Sequence, residues 1–235
     1  MEYKYCENEN FEDLSSGRVI YGTSGAPNFP VRLGNEIYRR CTALFPGKES
    51  FTVYDPCCGG GYLLTVLGFC NHNIDRIMAS DVSDRMVSVA AKNLALLTRP
   101  GLDERERELT DLIRQYGKSS HLEAVESLRR LRNHLVRNVD STVFTADCTQ
   151  TLPLADAPDI IITDVPYGNL VSWENGERDP LRAMYRQLAM AAHSDTVLAV
   201  IMDKKQRYQG DSWSRLERQV IGKRKFEIYR LAKTD

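Results

Sequence analysis

The chain has little of what would place it in a membrane or in the secretory pathway. No stretch of its 235 residues approaches the roughly 18 consecutive apolar residues that a membrane-spanning helix needs. The first ten residues, MEYKYCENEN, are acidic and polar, which is typical of neither a signal peptide nor a transit peptide. We therefore expect a cytoplasmic protein. The length suits one domain with a sizeable core.

Cysteine and histidine are present, but their spacing is not that of a metal site. None of the six cysteines forms a C-x-x-C pair, and the four histidines are far apart in the chain. The chain is long and has no secretory signal, so a disulfide framework is not expected either. We predict no metal site and interpret the cysteines as small apolar core residues.

An excess of charge of either sign is also lacking, since the net charge is only −1. This balance argues against a protein that is basic over its whole surface. Between Asp203 and Asp235, however, ten lysines and arginines face five carboxylates, a local balance of +5. Such a segment can meet phosphates or simply form a solvated surface, and the charge pattern alone leaves both open.

Apolar runs of strand length alternate with segments of helical periodicity. Phe51–Asp55 and the run from Asp159 to Asp164 are strands, and Tyr62–Cys70 is the helix that follows the first of them. Ser83 is expected to cap the next helix through its side chain. The remaining predicted elements are helices over 30–44, 83–97 and 180–192, strands over 75–81, 142–147 and 196–202, and a hairpin over 218–231 with its turn at Gly222-Lys223.

This order predicts an α/β fold with a mostly parallel sheet and an antiparallel edge. Residues 99–138 interrupt it, because they alternate charge with leucine and carry two apolar stripes. We predict a helical hairpin there, inserted in a single domain that spans residues 1–235, with residues 1–46 as an N-terminal extension and helix. The two stripes are Leu109, Leu112, Ile113 and Tyr116, and Leu122, Val125, Leu128, Leu131 and Leu135.

Four carboxylates fall at predicted strand ends, namely Asp55, Asp81, Asp147 and Asp164. The carboxyl ends of parallel strands share one rim of the sheet, and that rim is where ligands bind in this architecture. Glycines follow the first strand, where they allow backbone N–H groups to approach a nucleotide-like ligand. A single strand-end carboxylate is commonly a helix cap, but four together indicate a binding site.

The fourth carboxylate opens the segment 164–168, D-V-P-Y-G, which resembles the D-P-P-Y motif of S-adenosylmethionine-dependent amino-methyltransferases, with Val165 in place of the first proline. That resemblance covers nearly the whole chain. It implies a Rossmann-like class I methyltransferase with a seven-stranded sheet and with S-adenosyl-L-methionine as cofactor. It also implies that the glycine turn holds the methionine part, Asp81 the ribose, and Asp147 with Cys148 the adenine.

A closer resemblance lies in the segments 29–40 (F-P-V-R-L-G-N-E-I-Y-R-R), 55–68 and 163–174, and in the helical insertion. These segments look like the avilamycin-resistance rRNA methyltransferase family, whose members methylate a guanine in 23S rRNA. The resemblance implies a large-subunit rRNA partner and a role in antibiotic resistance. Trp173 matches a tryptophan of the family and either stacks on RNA or anchors its own loop. The implied catalytic residues are Asp164, Pro166 and Tyr167, and the implied cofactor-binding residues are Phe29, Arg32, Asp55, Cys57, Gly59, Gly61, Asp81, Asp147 and Cys148.

The chemistry of the fourth motif fits a planar base nitrogen. Asp164 supplies an acceptor for its proton, Pro166 stiffens the loop, and Tyr167 offers a ring on which a base can stack. Together with the family resemblance, which implies the rRNA guanine substrate, this chemistry leads us to predict an rRNA (guanine-N) methyltransferase, and we expect a monomer. The alternatives are methylation of DNA adenine, a protein glutamine or a small molecule, and a non-catalytic RNA-binding relative. A dinucleotide dehydrogenase is disfavoured, since Leu64 stands where its fingerprint needs a third glycine.

Overall fold

A computed structural model describes residues 1–22, 29–165 and 179–232 of the chain. Within these ranges seven strands form one sheet. The strands are β1 Phe51–Asp55, β2 Ile74–Asp81, β3 Asp140–Thr145, β4 Ile160–Asp164, β5 Val197–Asp203, β6 Trp213–Ile221 and β7 Arg224–Leu231.

The strand order across the sheet is β3-β2-β1-β4-β5-β7-β6. The first five strands in that order are parallel, and β7 and β6 close one edge as an antiparallel hairpin. The order reverses between β1 and β4, which is the switch point where open α/β sheets bind ligands. The predicted fold class is confirmed.

Helices cover both faces of the sheet. They are α1 Glu12–Ser15, α2 Val31–Thr42, α3 Tyr62–Cys70, α4 Asp84–Ala95, α5 Arg99–Tyr116, α6 Ser119–His134 and α7 Pro180–Ala191. Alternate strand residues point to opposite faces, so the core has two halves. Val53 and Ile162 pack on the side of α2, α3 and α6, whereas Tyr54 and Val200 pack on the side of α7 with Tyr185. No helix in the described ranges is long and apolar enough to cross a membrane.

Helices α5 and α6 form the predicted hairpin insertion. The Thr98 hydroxyl accepts the Gly101 N–H at 3.1 Å at the start of α5, and Gly117 ends that helix with φ 61°. Buried leucines of both helices contact each other and the main core. The predicted stripes are too long at the tip of the hairpin, because Tyr116 and Leu122 are both more than half exposed there.

The N-terminal segment is fastened to α2 by one buried carboxylate. Glu36 is fully buried and accepts the backbone N–H groups of Lys4, Tyr5 and Cys6 at 2.8–2.9 Å. It also pairs with Arg40 at 2.7 Å, one turn along the helix. Burial raises the pKa of Glu36, but the three N–H donors and Arg40 outweigh it, so the pKa lies below its usual value. A charged Glu36 therefore holds residues 4–6 in place.

Three sequence predictions about where helices and strands begin or end are wrong. Ser83 occupies the N-cap position of α4, but its side chain makes no capping hydrogen bond, and its backbone N–H donates to Asp81 instead. Strand β3 ends at Thr145, so Asp147 lies in the following turn and accepts the N–H and hydroxyl of Thr149. Strand β6 begins at Trp213, earlier than predicted, because its pairing with β7 extends to Leu231.

Candidate active site at the carboxyl rim of the sheet

The turn between β1 and α3 is built by two glycines in the left-handed region. Gly59 has φ 52° and Gly61 has φ 74°, conformations that residues with a side chain rarely adopt. A Cβ at Gly61 would lie 3.0 Å from the Cα and Cβ of Ala90, so this glycine allows α3 and α4 to pack closely. A Cβ at Gly59 would meet no atom within 4 Å. The space beside Gly59 is therefore open to a ligand.

Asp81 joins this turn to the end of β2. Its Oδ2 accepts the Gly59 N–H at 2.8 Å, and its Oδ1 accepts the Ser83 N–H at 3.0 Å. Each oxygen keeps a second lone pair for a further donor, such as a ligand hydroxyl. Val82 follows at the same rim with 47% of its surface exposed, an apolar side chain that the sequence analysis did not single out. A carboxylate beside an exposed apolar residue suits a nucleoside.

Asp55 ends β1 beneath the turn and is buried. Burial raises its pKa to about 7, and the negative charges of Asp81 and Asp164 act in the same direction. Thr163 and the Cys57 N–H, which donates to Asp55 Oδ1 at 3.0 Å, counteract part of this rise. Strand β1 lies between β2 and β4, so Asp55 is close to both Asp81 and Asp164, and three of the four predicted carboxylates share this rim.

Cys57 and Cys148 meet across the same rim, with their sulfurs 3.4 Å apart. Cys57 follows β1, and Cys148 lies in the turn after β3 next to Asp147. The hydrogen bond between the thiols, followed by burial, raises the pKa of Cys57 well above its usual value, so the thiol is protonated. The predicted Asp147–Cys148 segment therefore contacts the glycine turn. All six cysteines are free thiols.

Asp164 lies at the end of β4, one strand from Asp55, with its side chain 28% exposed. Arg224, the first residue of β7, places its Nη1 3.7 Å from Asp164 Oδ2. The same guanidinium lies over the Phe29 ring, 5.8 Å from its centre. Phe29 thus shares a contact with the arginine beside Asp164, and its implied role in cofactor binding stays a prediction. Arg224 is a residue that sequence reasoning missed, because only the sheet order reveals its position next to Asp164.

Arg32 points elsewhere, toward the N-terminal segment. Its Nε and Nη2 both donate to the Cys6 carbonyl at 3.1 Å, and its guanidinium lies 3.9 Å from the centre of the Tyr3 ring. A direct role of Arg32 in cofactor binding stays a prediction. The predicted residues Pro166, Tyr167 and Trp173 lie outside the described residues.

The chain matches a family model described as rRNA methyltransferase AviRa over residues 1–224. It is 39% identical over 232 residues to the 23S rRNA (guanine(2535)-N(1))-methyltransferase of Streptomyces viridochromogenes, covering 94% of this chain and 92% of that protein.

Solved structures agree with this match. A structure of the rRNA methyltransferase aviRa from the same organism superposes with a TM-score of 0.88 at 36% identity, over 98% of this chain and 96% of that one. A Listeria monocytogenes protein provisionally assigned as a class I S-adenosylmethionine-dependent methyltransferase shares the fold, with a TM-score of 0.57 at 14% identity over 94% and 66% of the two chains. The chain belongs to the rRNA methyltransferase AviRa family.

Proposed function

We propose that the chain methylates N1 of a guanine in 23S rRNA, with Asp164 accepting the N1 proton and Tyr167 stacking on the base. Family membership makes the chain an rRNA methyltransferase and S-adenosyl-L-methionine its cofactor. The choice of guanine N1 rests on the printed activity of the Streptomyces relative. The observation that carries the role of Asp164 is its position at the end of β4, beside the open glycine turn.

The residues of the rim fit the cofactor. The open space at Gly59 admits the methionine part, with backbone N–H groups nearby, and Asp81 has lone pairs left for ribose hydroxyls. Val82, Cys57 and Cys148 would lie against the adenine. When bound, the cofactor would supply a methyl group on a positively charged sulfur, an activated donor that needs no metal ion.

Proton transfer falls to the chain itself. Guanine N1 carries a hydrogen, and the nitrogen must lose it when its bond to the methyl carbon forms and the methyl–sulfur bond breaks, leaving the sulfur as a neutral thioether. The carboxylate of Asp164 accepts this proton, while Arg224 orients the carboxylate from 3.7 Å. Most of the rate enhancement comes from holding nitrogen and methyl carbon in line, which is a matter of positioning.

We further propose that residues 1–235 form one methyltransferase domain that works in the cytoplasm, as a monomer and without a metal ion. Ribosomal RNA is the partner in this account, and the reaction needs one protein copy per target base. Light scattering of the purified protein measures its molar mass, which should be that of one chain, 26.7 kDa.

Transfer of tritiated methyl from S-adenosylmethionine tests the function. Purified protein is incubated with a 23S rRNA transcript and, in parallel, with 16S rRNA, DNA and total protein. We expect label in 23S rRNA only, recovered as N1-methylguanosine after nuclease digestion. Asp164→Asn should lose transfer while calorimetry shows unchanged cofactor binding. Label in DNA or protein, or on another nucleoside, would overturn the proposal.

A further inference from the structure

Three exposed lysines lie at the same end of the sheet as the candidate active site. Lys204 and Lys205 directly follow β5, and Lys223 lies in the turn of the β6–β7 hairpin. The Lys204 N–H donates to the Lys223 carbonyl at 3.0 Å, which fixes the two segments side by side. We call these three lysines the basic rim.

The basic rim is close to Asp164. Lys223 immediately precedes Arg224, whose guanidinium contacts the Asp164 carboxylate. On the other side, Asp164 pairs in register with Ile201 of β5, three residues before Lys204. At about 3.3 Å per residue along a strand, Lys204 begins roughly 10 Å from the reacting carboxylate. The basic rim is therefore within reach of RNA that flanks a base held at Asp164.

No carboxylate within the described ranges pairs with the ammonium group of any of these lysines. The arginines of the α5–α6 insertion differ, since all of them except Arg99 pair with a carboxylate. The pairs are Arg105–Glu108, Arg107–Glu104, Arg114–Asp111, Arg129–Glu106, Arg130–Asp13 and Arg132–Asp103. Most positive side chains of the insertion are therefore neutralised by a carboxylate, whereas none of the three lysine ammonium groups of the basic rim is paired with one within the described ranges.

The nearest acid in the chain at this turn is Asp203, the last residue of β5. Its Oδ1 accepts the backbone N–H of Lys205 at 2.8 Å, so the carboxylate caps the turn. It lowers the local charge of the rim from +3 to +2 without pairing with a lysine ammonium group. The geometry leaves the three side chains directed at solvent beside the site.

We propose that Lys204, Lys205 and Lys223 form a docking surface for the phosphodiester backbone that flanks the target base. This proposal rests on the proposed function and specifies which face of the enzyme the RNA contacts. Lysine contacts with phosphates release counterions, so they strengthen binding in a salt-dependent and sequence-independent manner. Such contacts position the RNA, while the pocket at Asp164 selects the base.

Fluorescence anisotropy with a labelled 23S rRNA fragment, in the absence of cofactor, tests the proposal. The variant is Lys204→Gln, Lys205→Gln and Lys223→Gln together. The matched control carries Arg107→Gln, Arg114→Gln and Lys118→Gln, which remove the same charge from the exposed side of the insertion. Three lost phosphate contacts should reduce the slope of log affinity against log salt by about 2–3 and weaken binding roughly tenfold at moderate salt.

In methylation assays the rim variant should show a raised KM for RNA, an almost unchanged kcat and normal cofactor binding. If the rim variant and the control bind RNA equally well and with equal salt slopes, the docking surface is refuted. A refuted docking surface can be told apart from a refuted function. If the proposed function is wrong, the wild-type protein transfers no methyl group to 23S rRNA, whatever the anisotropy shows.

Discussion

The guanidinium of Arg224 lies 3.7 Å from the carboxylate of Asp164, across the width of β5. It also covers the Phe29 ring, so one cation connects the antiparallel hairpin, the strand end that carries the candidate base and the start of α2. The hairpin therefore contributes a charged side chain to the site as well as an edge to the sheet.

Arg224→Gln should lower kcat by between about tenfold and a hundredfold, because the carboxylate of Asp164 loses the charge that orients it. The affinity for S-adenosylmethionine should stay within about twofold of wild type. Arg224→Lys should retain part of the activity, since it keeps the charge without the planar guanidinium. Steady-state kinetics and calorimetry measure the two quantities separately. An Arg224→Gln enzyme with wild-type kcat would show that the contact has no role in positioning.

Two glycine substitutions separate the fold from ligand binding. Gly59→Ala should cost only about 1 kcal/mol of unfolding free energy, for the positive φ, because its Cβ meets no protein atom within 4 Å. The same Cβ occupies the ligand space, so cofactor affinity should drop sharply. Gly61→Ala adds the 3.0 Å contact with Ala90 to its positive φ and should cost roughly 2–4 kcal/mol.

Urea unfolding and calorimetry on this pair of variants provide the comparison. We expect Gly61→Ala to lose more unfolding free energy than Gly59→Ala. We expect Gly59→Ala to lose cofactor affinity although it is the more stable of the two variants. Normal cofactor affinity in a folded Gly59→Ala protein would contradict the position of the ligand space.

Asp55 should make the protein less stable as pH rises. Its pKa is about 7 when folded, against an ordinary value of 3.8. Between these values the folded chain holds a proton that the unfolded chain has released, so this contribution to stability is full near pH 4 and lost by pH 7. Asp55→Asn mimics the protonated form and should exceed wild type at pH 8 by roughly 4 kcal/mol at most.

The measurement is urea unfolding of both proteins at pH 4.5, 6 and 8. The difference in unfolding free energy should be about 1 kcal/mol at pH 4.5 and grow as pH rises, while the variant loses cofactor affinity. A difference that does not vary with pH would show that Asp55 has an ordinary pKa.

Glu36 offers a test of the N-terminal attachment. Glu36→Gln removes the buried charge that three backbone N–H groups and Arg40 surround, and it should cost roughly 2–4 kcal/mol. Glu217→Gln is the matched control, because Glu217 pairs with the same arginine from a more exposed position and should cost less than about 1 kcal/mol. Hydrogen exchange of residues 4–6 should accelerate in the first variant only.

Much of the fold follows from local sequence. Strand β1 and helix α3 have the predicted bounds, because an apolar run, a glycine turn and a second apolar run leave little choice. The turn at Gly222 is also as predicted, with φ 61°. Local signals failed at Ser83, where the neighbouring Asp81 carboxylate takes the backbone N–H.

The remaining features depend on contacts between distant segments. The contact of Arg32 with Cys6 arises only when the N-terminal segment packs on α2, and Arg224 lies beside Asp164 only when the sheet has formed. The sulfur contact of Cys57 with Cys148 likewise needs the turns after β1 and β3 to meet. A single sequence contains no periodicity or motif that reports such pairs.

Nucleoside mass spectrometry of 23S rRNA decides whether this chain methylates guanine N1 and whether Asp164 is required. The host cells have no gene of their own for this protein. They are given a gene for either the wild-type chain or Asp164→Asn, expressed at equal levels, and their RNA is isolated. We expect one additional N1-methylguanosine in 23S rRNA with the wild-type chain and none with the variant. A methyl mark that persists with Asp164→Asn, or one that appears on another base or ring atom, would contradict it.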